Sequence, residues 1–456
     1  MEELQDNIQF QLTDELIEKV EILVEDENDK ELKGLLNEFH HADIAEILDE
    51  LDLDDAVYVI KLLDSDTTSD ILMELDEDDR ENILKNLSAK EIAEEIEELD
   101  TDDAADMIAE LSEERQEAVI SQIEDEEHKA EIQELLAYDD DSAGGLMAKE
   151  LVKVYETWTV AGCLRRIRGQ AKDVTRVHSI YVVDKEDKLI GRLSLKDLIV
   201  AKSDQKIADI AKDNVDWVNV NDDEEDVAKV MAKYDLEAIP VVDDNQVLVG
   251  RITIDDIVDV LKEEAEKDYQ LAAGITQDVE ADDSILELTR ARLPWLFLGL
   301  VGGVGAFIIM EGFQESFSQY AILFFFTPLI AAMAGNVGVQ SSAIIVQGLA
   351  NDDVKGSVNS RLIKEMLLAA LNGVILAVFL LLFIWIYIGE LDKAIAISVS
   401  LVAVIIIAGL IGTFVPLFLD KRGIDPAIAT GPFITTSNDI LGILLYFWIA
   451  KLILGI

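Results

Sequence analysis

One aspartate stands where an aspartate is expensive. Asp439 lies midway through an apolar run near the C-terminal end, Pro432-Phe433-Ile434-Thr435-Thr436-Ser437-Asn438-Asp439, with Ile440 and further apolar residues after it. A carboxylate at the centre of a bilayer costs roughly 2.5–3.5 kcal/mol on insertion scales, so such groups normally face a cavity or an ion path. No Lys or Arg within the apolar runs is placed to neutralise it, and Lys451 is three turns away. An earlier run offers Asn336, Gln340 and Ser341, with Pro328 and Gly335 available to open the backbone. Carboxylate, amide, hydroxyl and freed carbonyl oxygens are the ligands that hard cations accept. One carboxylate per chain fits an ion that keeps its water, and two copies about a twofold axis would balance a 2+ charge. A buried, protonated Asp439 that only hydrogen-bonds a neighbour is the structural alternative.

A second chemistry is written in the charge. Residues 1–283 carry 82 Asp and Glu against 28 Lys and Arg, whereas residues 284–456 carry 11 against 9. The first part is an intensely acidic, water-facing region, and the second is membrane. Phosphate would be repelled, which excludes nucleic acid as a partner. Adaptation to high salt also produces such surfaces, and charge runs are usually solvated faces. The single cysteine, Cys163, rules out an intramolecular disulfide framework and reads as a buried small hydrophobe. Met1 to Asp29 lacks an apolar signal-peptide core, so the acidic part is expected in the cytoplasm.

Three kinds of element must position these groups. Leu51-Asp52-Leu53-Asp54-Asp55, Leu75-Asp76-Glu77-Asp78-Asp79 and Leu99-Asp100-Thr101-Asp102-Asp103 recur at intervals of 24 residues. Between them His41–Leu51, Ser65–Leu75 and Ala89–Leu99 have helical apolar spacing, with Ile44, Ile47, Leu48 and Leu51 on one face. The pattern predicts stacked helical hairpins whose Asp-rich corners act as N-caps and favour the helix dipoles. His40 and His41 are expected at a helix start. Further on, Ile180–Asp184 with Gly191–Asp197, and Ile239–Asp243 with Gly250–Asp256, form two strand–turn–strand–helix units 59 residues apart. They resemble a tandem pair of CBS domains, a regulatory module that often binds adenine nucleotides. In that family the hydroxyl and the Asp three residues later contact ribose and phosphate, positions held here by Ser194 and Asp197, or by Thr253 and Asp256. Capping of the following helix explains the same residues equally well.

Five apolar stretches follow, at 293–310, 320–350, 366–389, 394–419 and 426–456, each near the ~20 residues that span a bilayer. Arg290, Arg292, Lys355, Arg361, Lys364, Lys421 and Arg422 fall on one side, and only Lys393 in the opposite loops. The positive-inside rule then predicts a multi-pass protein of the cell (inner) membrane, N-terminal domains cytoplasmic and C-terminus outside. The Gly299/Gly303 pair permits a close helix contact.

In this order the whole chain resembles the MgtE family of magnesium channels. The motifs that carry the resemblance are Ala143-Gly144-Gly145-Leu146-Met147, Gly335-Asn336-Val337-Gly338-Val339-Gln340, and Asp425-Pro426-Ala427 through Asn438-Asp439. The resemblance implies a multidomain membrane protein: an all-α helical-repeat N-domain at 1–138, α/β CBS domains at 139–201 and 202–261, a connecting (plug) helix at 262–289, and a five-helix α transmembrane domain at 290–456. It implies a homodimer in the lipid bilayer with a pore at the twofold interface, selective for Mg2+ through Asp439, with Asn336 and the Thr435 backbone nearby. It implies closure by cytosolic Mg2+ bound at Asp223, Glu225 and Asp235 of the second CBS domain, Asp256, Asp259 and Glu264 on or near the connecting helix, and Asp102 and Asp106 of the last repeat. ATP on the first CBS domain would be a regulator, which gives the nucleotide role to Ser194 and Asp197. Lys267 departs from the acid expected on the connecting helix, Leu236 from an aromatic that some relatives offer to adenine, and Gly145 from a residue that is often larger.

Acidic elements brought together repel, and a bridging divalent ion that binds only the compact arrangement removes that cost. Depletion of the ion then shifts the population toward looser domains. Competing readings are a less selective divalent (Mn2+, Co2+ or Ca2+) transporter, since one Asp per chain does not discriminate among them, and a membrane-anchored CBS nucleotide sensor, which has no use for a central carboxylate. No P-loop, nucleophile–base pair or catalytic metal spacing supports an enzyme. Channel and carrier are not separated by the residues.

Overall fold

A computed structural model describes residues 10–172, 174, 176–276, 279, 283–350, 357–429 and 431–456, so Lys355 and the first nine residues lie outside the described residues. The chain forms two compact units, Met1–Leu261 and Lys262–Ile456.

The first unit begins with ten short helices: α1 (Asp14–Glu25), α2 (Asp29–Leu36), α3 (His41–Asp49), α4 (Leu53–Leu62), α5 (Ser65–Glu74), α6 (Glu77–Lys85), α7 (Ala89–Ile96), α8 (Thr101–Ala109), α9 (Glu113–Ile120) and α10 (Glu126–Leu135). Helices α3, α5, α7 and α9 start 24 residues apart and stack on one another, while α4 stacks on α6 and α8 on α10. Each turn of the solenoid therefore buries its apolar stripe on the next: Ile47, Ile71, Leu72, Leu84, Ile92 and Ile108 are fully buried. His40 caps α3 in a reciprocal box with Asp43, as a residue at a helix start should. The Asp-rich corners act differently from expectation. Asp52, Asp76 and Asp100 occupy the N-cap positions of α4, α6 and α8, but none makes a side-chain cap hydrogen bond. Their neighbours in the first turn supply negative charge at the dipole instead.

Two three-stranded sheets follow. β1 (Val152–Tyr155) runs parallel to β2 (Ile180–Val183), which pairs antiparallel with β3 (Leu189–Leu193). β4 (Val218–Asn219), β5 (Ala238–Val242) and β6 (Leu248–Thr253) repeat that topology. Helices α11 (Val160–Gln170) and α12 (Leu195–Val200) complete the first module, and α13 (Glu224–Tyr234) lies in the second. The hairpins mirror each other: Leu189 N–H donates to Gln246 O and Leu248 N–H to Asp187 O, both at 3.0 Å. Asp187 (φ 58°) and Gln246 (φ 65°) hold these turns in the left-handed region. Cys163 is buried, as its type predicts.

Helix α14 (Ile254–Ala273) leads into the second unit. There α15 (Ile285–Gln314), α17 (Thr327–Ala350), α18 (Val358–Ile388), α19 (Leu391–Asp420) and α20 (Gly431–Leu454) are long and apolar enough to cross a membrane. Helices α15, α18 and α19 begin before their apolar runs, and two runs begin before their long helix. The second run breaks at Phe326, with a short α16 (Ile322–Phe325) before Thr327, and Pro328 falls in the first turn of the new helix, where its missing N–H costs nothing. The fifth run opens with a 3-10 turn, Pro426–Ala429, before α20. Helix α19 is central, touching α17, α18 and α20. The Gly299/Gly303 pair meets nothing within 4 Å; the close contact belongs to Gly302, where a Cβ would strike the Thr436 methyl.

Replacing Leu72 by Ala removes a fully buried side chain at the α3–α5–α7 stack. Such truncations cost about 2–5 kcal/mol, so chemical denaturation of Leu72→Ala should show a lower midpoint with secondary structure retained.

Candidate functional site

Within the first unit the last Asp-rich corner meets the second CBS module. The corner leads into α8, whose first turn holds Asp102 and Asp103; Asp106 is one turn on, and Asp256 is in the first turn of α14. Arg251, at the end of β6, donates from Nη2 to Asp100 Oδ2 at 3.2 Å and from Nε to Glu150 O. Thr101 Oγ1 donates to Glu150 Oε2 at 2.8 Å and accepts from Lys149 N at 2.8 Å, which holds the Glu150 loop on the corner. Asp256 accepts from Thr253 N and Oγ1 at 2.9 and 2.8 Å, a cap that aims its carboxylate at α8. Arg80 anchors the far end through a two-oxygen contact with Glu110.

Two guanidinium groups do not balance so many acids. Burial, reinforced by Glu150, raises Asp100 to about 6 despite Arg251. Burial and then Asp256 raise Asp103 to about 7. Asp102, Asp106 and Asp256 are also raised, burial first. Asp106 remains exposed although the protein packed around it raises its carboxyl. The crowding recurs one repeat earlier: Asp79 shares a hydrogen bond with Asp49 and is raised to about 6. Among the described residues no three acidic, His or Cys side chains form a ready coordination shell. The junction is a concentration of negative charge that an arriving cation would have to draw together.

The other acids expected in the sensor lie apart from this junction. Asp223 caps α13, accepting from Glu225 N at 3.1 Å, and Glu225 pairs with Lys229 at 2.8 Å. Asp235 ends the same helix in the left-handed conformation (φ 55°). The 11 residues of α13 separate the two ends by about 16 Å, so these acids do not form one site. Asp259 is exposed on α14, and Glu264 pairs with Lys267 at 2.7 Å, so the departing lysine neutralises an acid that was expected to bind an ion. Asp100, Asp103, Glu150 and Arg251 were not foreseen; the repeated Leu-Asp-x-Asp-Asp spelling marks the two Asp positions, while nothing local marks Glu150 or Arg251.

A second site lies between the CBS modules. A cavity of about 290 Å3 is lined by His178, Arg192, Ser194, Lys212, Asp235 and Leu236, among others. Ser194 Oγ donates to Asp197 Oδ2 at 2.7 Å, and this cap hydrogen bond, with the Ser194 N–H, holds the Asp197 carboxyl below its usual range. Lys212 Nζ lies 4.0 Å from Asp197. Two cations, a hydroxyl and an apolar wall suit a phosphorylated ligand with a flat base, and Leu236 offers no ring for stacking.

In the second unit Asp439 Oδ1 and the Thr435 methyl lie against Gly335, 3.6 and 3.1 Å from where its Cβ would be. Thr435 Oγ1 donates to Gly431 O at 3.0 Å, one turn back. Asn336 and Gln340 share an exposed face of α17. Ser341 is not on that face: its hydroxyl donates to Glu365 Oε1 on α18 at 2.7 Å. At the start of α20, Gly431 (φ 51°) has no room for a Cβ against Ala272 O, and Pro432 closes on Gly274 (φ 82°). The end of α14 thus abuts the helix that carries Asp439.

Five membrane-length helices, one with an internal carboxylate, follow a helical-repeat domain and a CBS pair, which is the arrangement of a membrane transport protein with attached domains. The family models agree: a divalent cation transporter at residues 327–449, the MgtE intracellular N domain at 39–141, and CBS domains at 143–204 and 207–263. The chain is 38% identical to the magnesium transporter MgtE of Enterococcus faecalis over 70% of its own length and 71% of that protein. It is 37% identical to that of Thermus thermophilus, over 71% and 72%. The chain belongs to the MgtE family, whose members are transporters and not enzymes. A solved cytosolic domain of the Mg2+ channel MgtE in complex with ATP is 35% identical, with a TM-score of 0.51, covering 54% of this chain and 99% of that one. The soluble part of a magnesium transporter is 32% identical, TM-score 0.50, covering 55% and 98%.

Carboxyls raised above their unfolded values stabilise the folded junction fully only when protonated, below about pH 4, and lose that contribution as pH rises through 6 to 7. In EDTA the melting temperature of the intact protein should therefore fall from about pH 5 to about pH 8. Millimolar Mg2+ should flatten that slope; an equal slope with and without Mg2+ would show that these acids do not take the ion.

Proposed function

We propose that this protein conducts Mg2+ across the cell membrane as a homodimer and is closed by cytosolic Mg2+, with ATP as a modulator. The observation that carries this reading is the Asp439 carboxylate at the α17–α20 seam beside Gly335. Asn336 supports it: an exposed amide on a membrane helix needs water or a polar partner, which a pore at a twofold interface supplies. Asp439 of each protomer would face a hydrated ion across the axis, with Asn336 and the Thr435 carbonyl touching its water.

Closure follows from the junction. Mg2+ bound among Asp102, Asp106 and Asp256 offsets their repulsion and favours the compact first unit. Asp259 and Glu264 would add ligands further along α14, and Asp223, Glu225 and Asp235 a separate, weaker place on the second CBS module. The compact state fixes α14, whose end bears on Gly431 and Pro432. ATP in the CBS cavity would place its phosphates by Arg192 and Lys212 and its ribose by Ser194 and Asp197. With Leu236 in place of a stacking ring, the rings available to the base would be those of Tyr234 and His178, which also line the cavity. The N-terminal domains would be cytoplasmic and the C-terminus outside.

Mg2+ flux into proteoliposomes tests the reading, with Mg2+ on the cytosolic-domain side varied from micromolar to tens of millimolar. Wild-type flux should fall as that Mg2+ rises, and Asp439→Ala should be silent. Asp102→Asn/Asp256→Asn should conduct at Mg2+ levels that close the wild type. Equal conduction by Asp439→Ala and wild type would make that carboxylate structural.

A further inference from the structure

Beside Asp439 stands a polar group that the transport reading leaves unused. Asn438 is 1% exposed, and neither its Oδ1 nor its Nδ2 has a hydrogen-bond partner among the described residues. Its amide is lodged in a notch on α17: a Cβ at Gly338 would strike Nδ2 and stand 3.1 Å from Cγ. The notch is backed by α19, because the Gly338 carbonyl presses into the space where a Cβ of Gly412 would be. Three helices thus meet at a point where the amide shares the notch with the Ile434 methyl, which lies 2.7 Å from the Gly338 Cβ position.

A buried amide with unspent donors and acceptor is costly, and an apolar side chain filling the notch would be cheaper. Stability does not account for the residue, but its neighbour does. Asp439 follows it directly, and Gly335, where Asp439 Oδ1 rests, is one turn along α17 from Gly338. Any rotation of α20 about its axis moves both groups together.

We propose that Asn438 is a positioning residue for the ion-binding carboxylate: its amide keys α20 into the Gly338 notch and so fixes where Asp439 stands. The proposal rests on Asp439 being the pore ligand. Residues that orient a metal's ligand without touching the metal typically change affinity by about 10–100-fold.

The test is the Mg2+ concentration for half-maximal flux in proteoliposomes, with melting temperature alongside, for Asn438→Ala, Gly338→Ala and the double variant. Asn438→Ala should raise half-saturation roughly tenfold with little change in melting temperature. Gly338→Ala, which expels the amide, should do the same or worse. In the double variant the amide clash is gone and the new methyl has only the end of the Ile434 side chain to displace, so half-saturation should recover toward wild type. If Gly338→Ala does not fold, Asn438→Ala and the double variant decide. Unchanged half-saturation in Asn438→Ala, with Asp439→Ala silent, overturns the proposal and leaves the pore reading standing. A fully active Asp439→Ala removes the pore reading, and this proposal with it.

Discussion

Repulsion between carboxylates that the fold forces together is the constraint on which the first unit depends. The α8 corner and the first turn of α14 each place acids at helix N-termini, where each alone is favoured. Packed against one another they lack counter-charge, because Arg251 is engaged with Asp100 and Glu150, and Arg80 with Glu110. A junction of this kind is held below its best stability and waits for protons or cations. Such a poised element can report an ion's concentration, because the ion changes the balance between two arrangements of modest free-energy difference.

The membrane unit follows the opposite logic. It tolerates few charges and gains its precision from absent side chains: Gly302, Gly335 and Gly338 let α15 and α17 approach α20 so closely that Thr435, Thr436, Asn438 and Asp439 are packed residue by residue, and Gly412 lets α19 close on α17 at Gly338. In a bilayer, where helices gain little from burying apolar surface, such fit supplies much of the specificity.

Much of this was legible in the chain. The 24-residue period, the paired strand units and the five spans came from spacing and hydropathy, because each reflects a local repeat that tertiary contacts only reinforce. The Asp439 position was legible because a bilayer makes its cost visible. What escaped notice depends on long-range neighbours. Glu150 and Arg251 join the α8 corner across 49 and 151 residues. The small-residue contact fell on Gly302 where Gly299 and Gly303 spelled the motif, since the facing helix decides which glycine is used. Ser341 turned toward Glu365 for the same reason.

The solenoid touches the CBS modules through its last corner and α10, while each turn rests on the turns beside it. Its length is therefore decoupled from the geometry of that corner. A whole 24-residue turn gained or lost near α3 would leave the α8 corner and its partners in place. A single-residue insertion between Asp102 and Asp106, by contrast, would change the face of α8 on which Asp106 stands relative to Asp102.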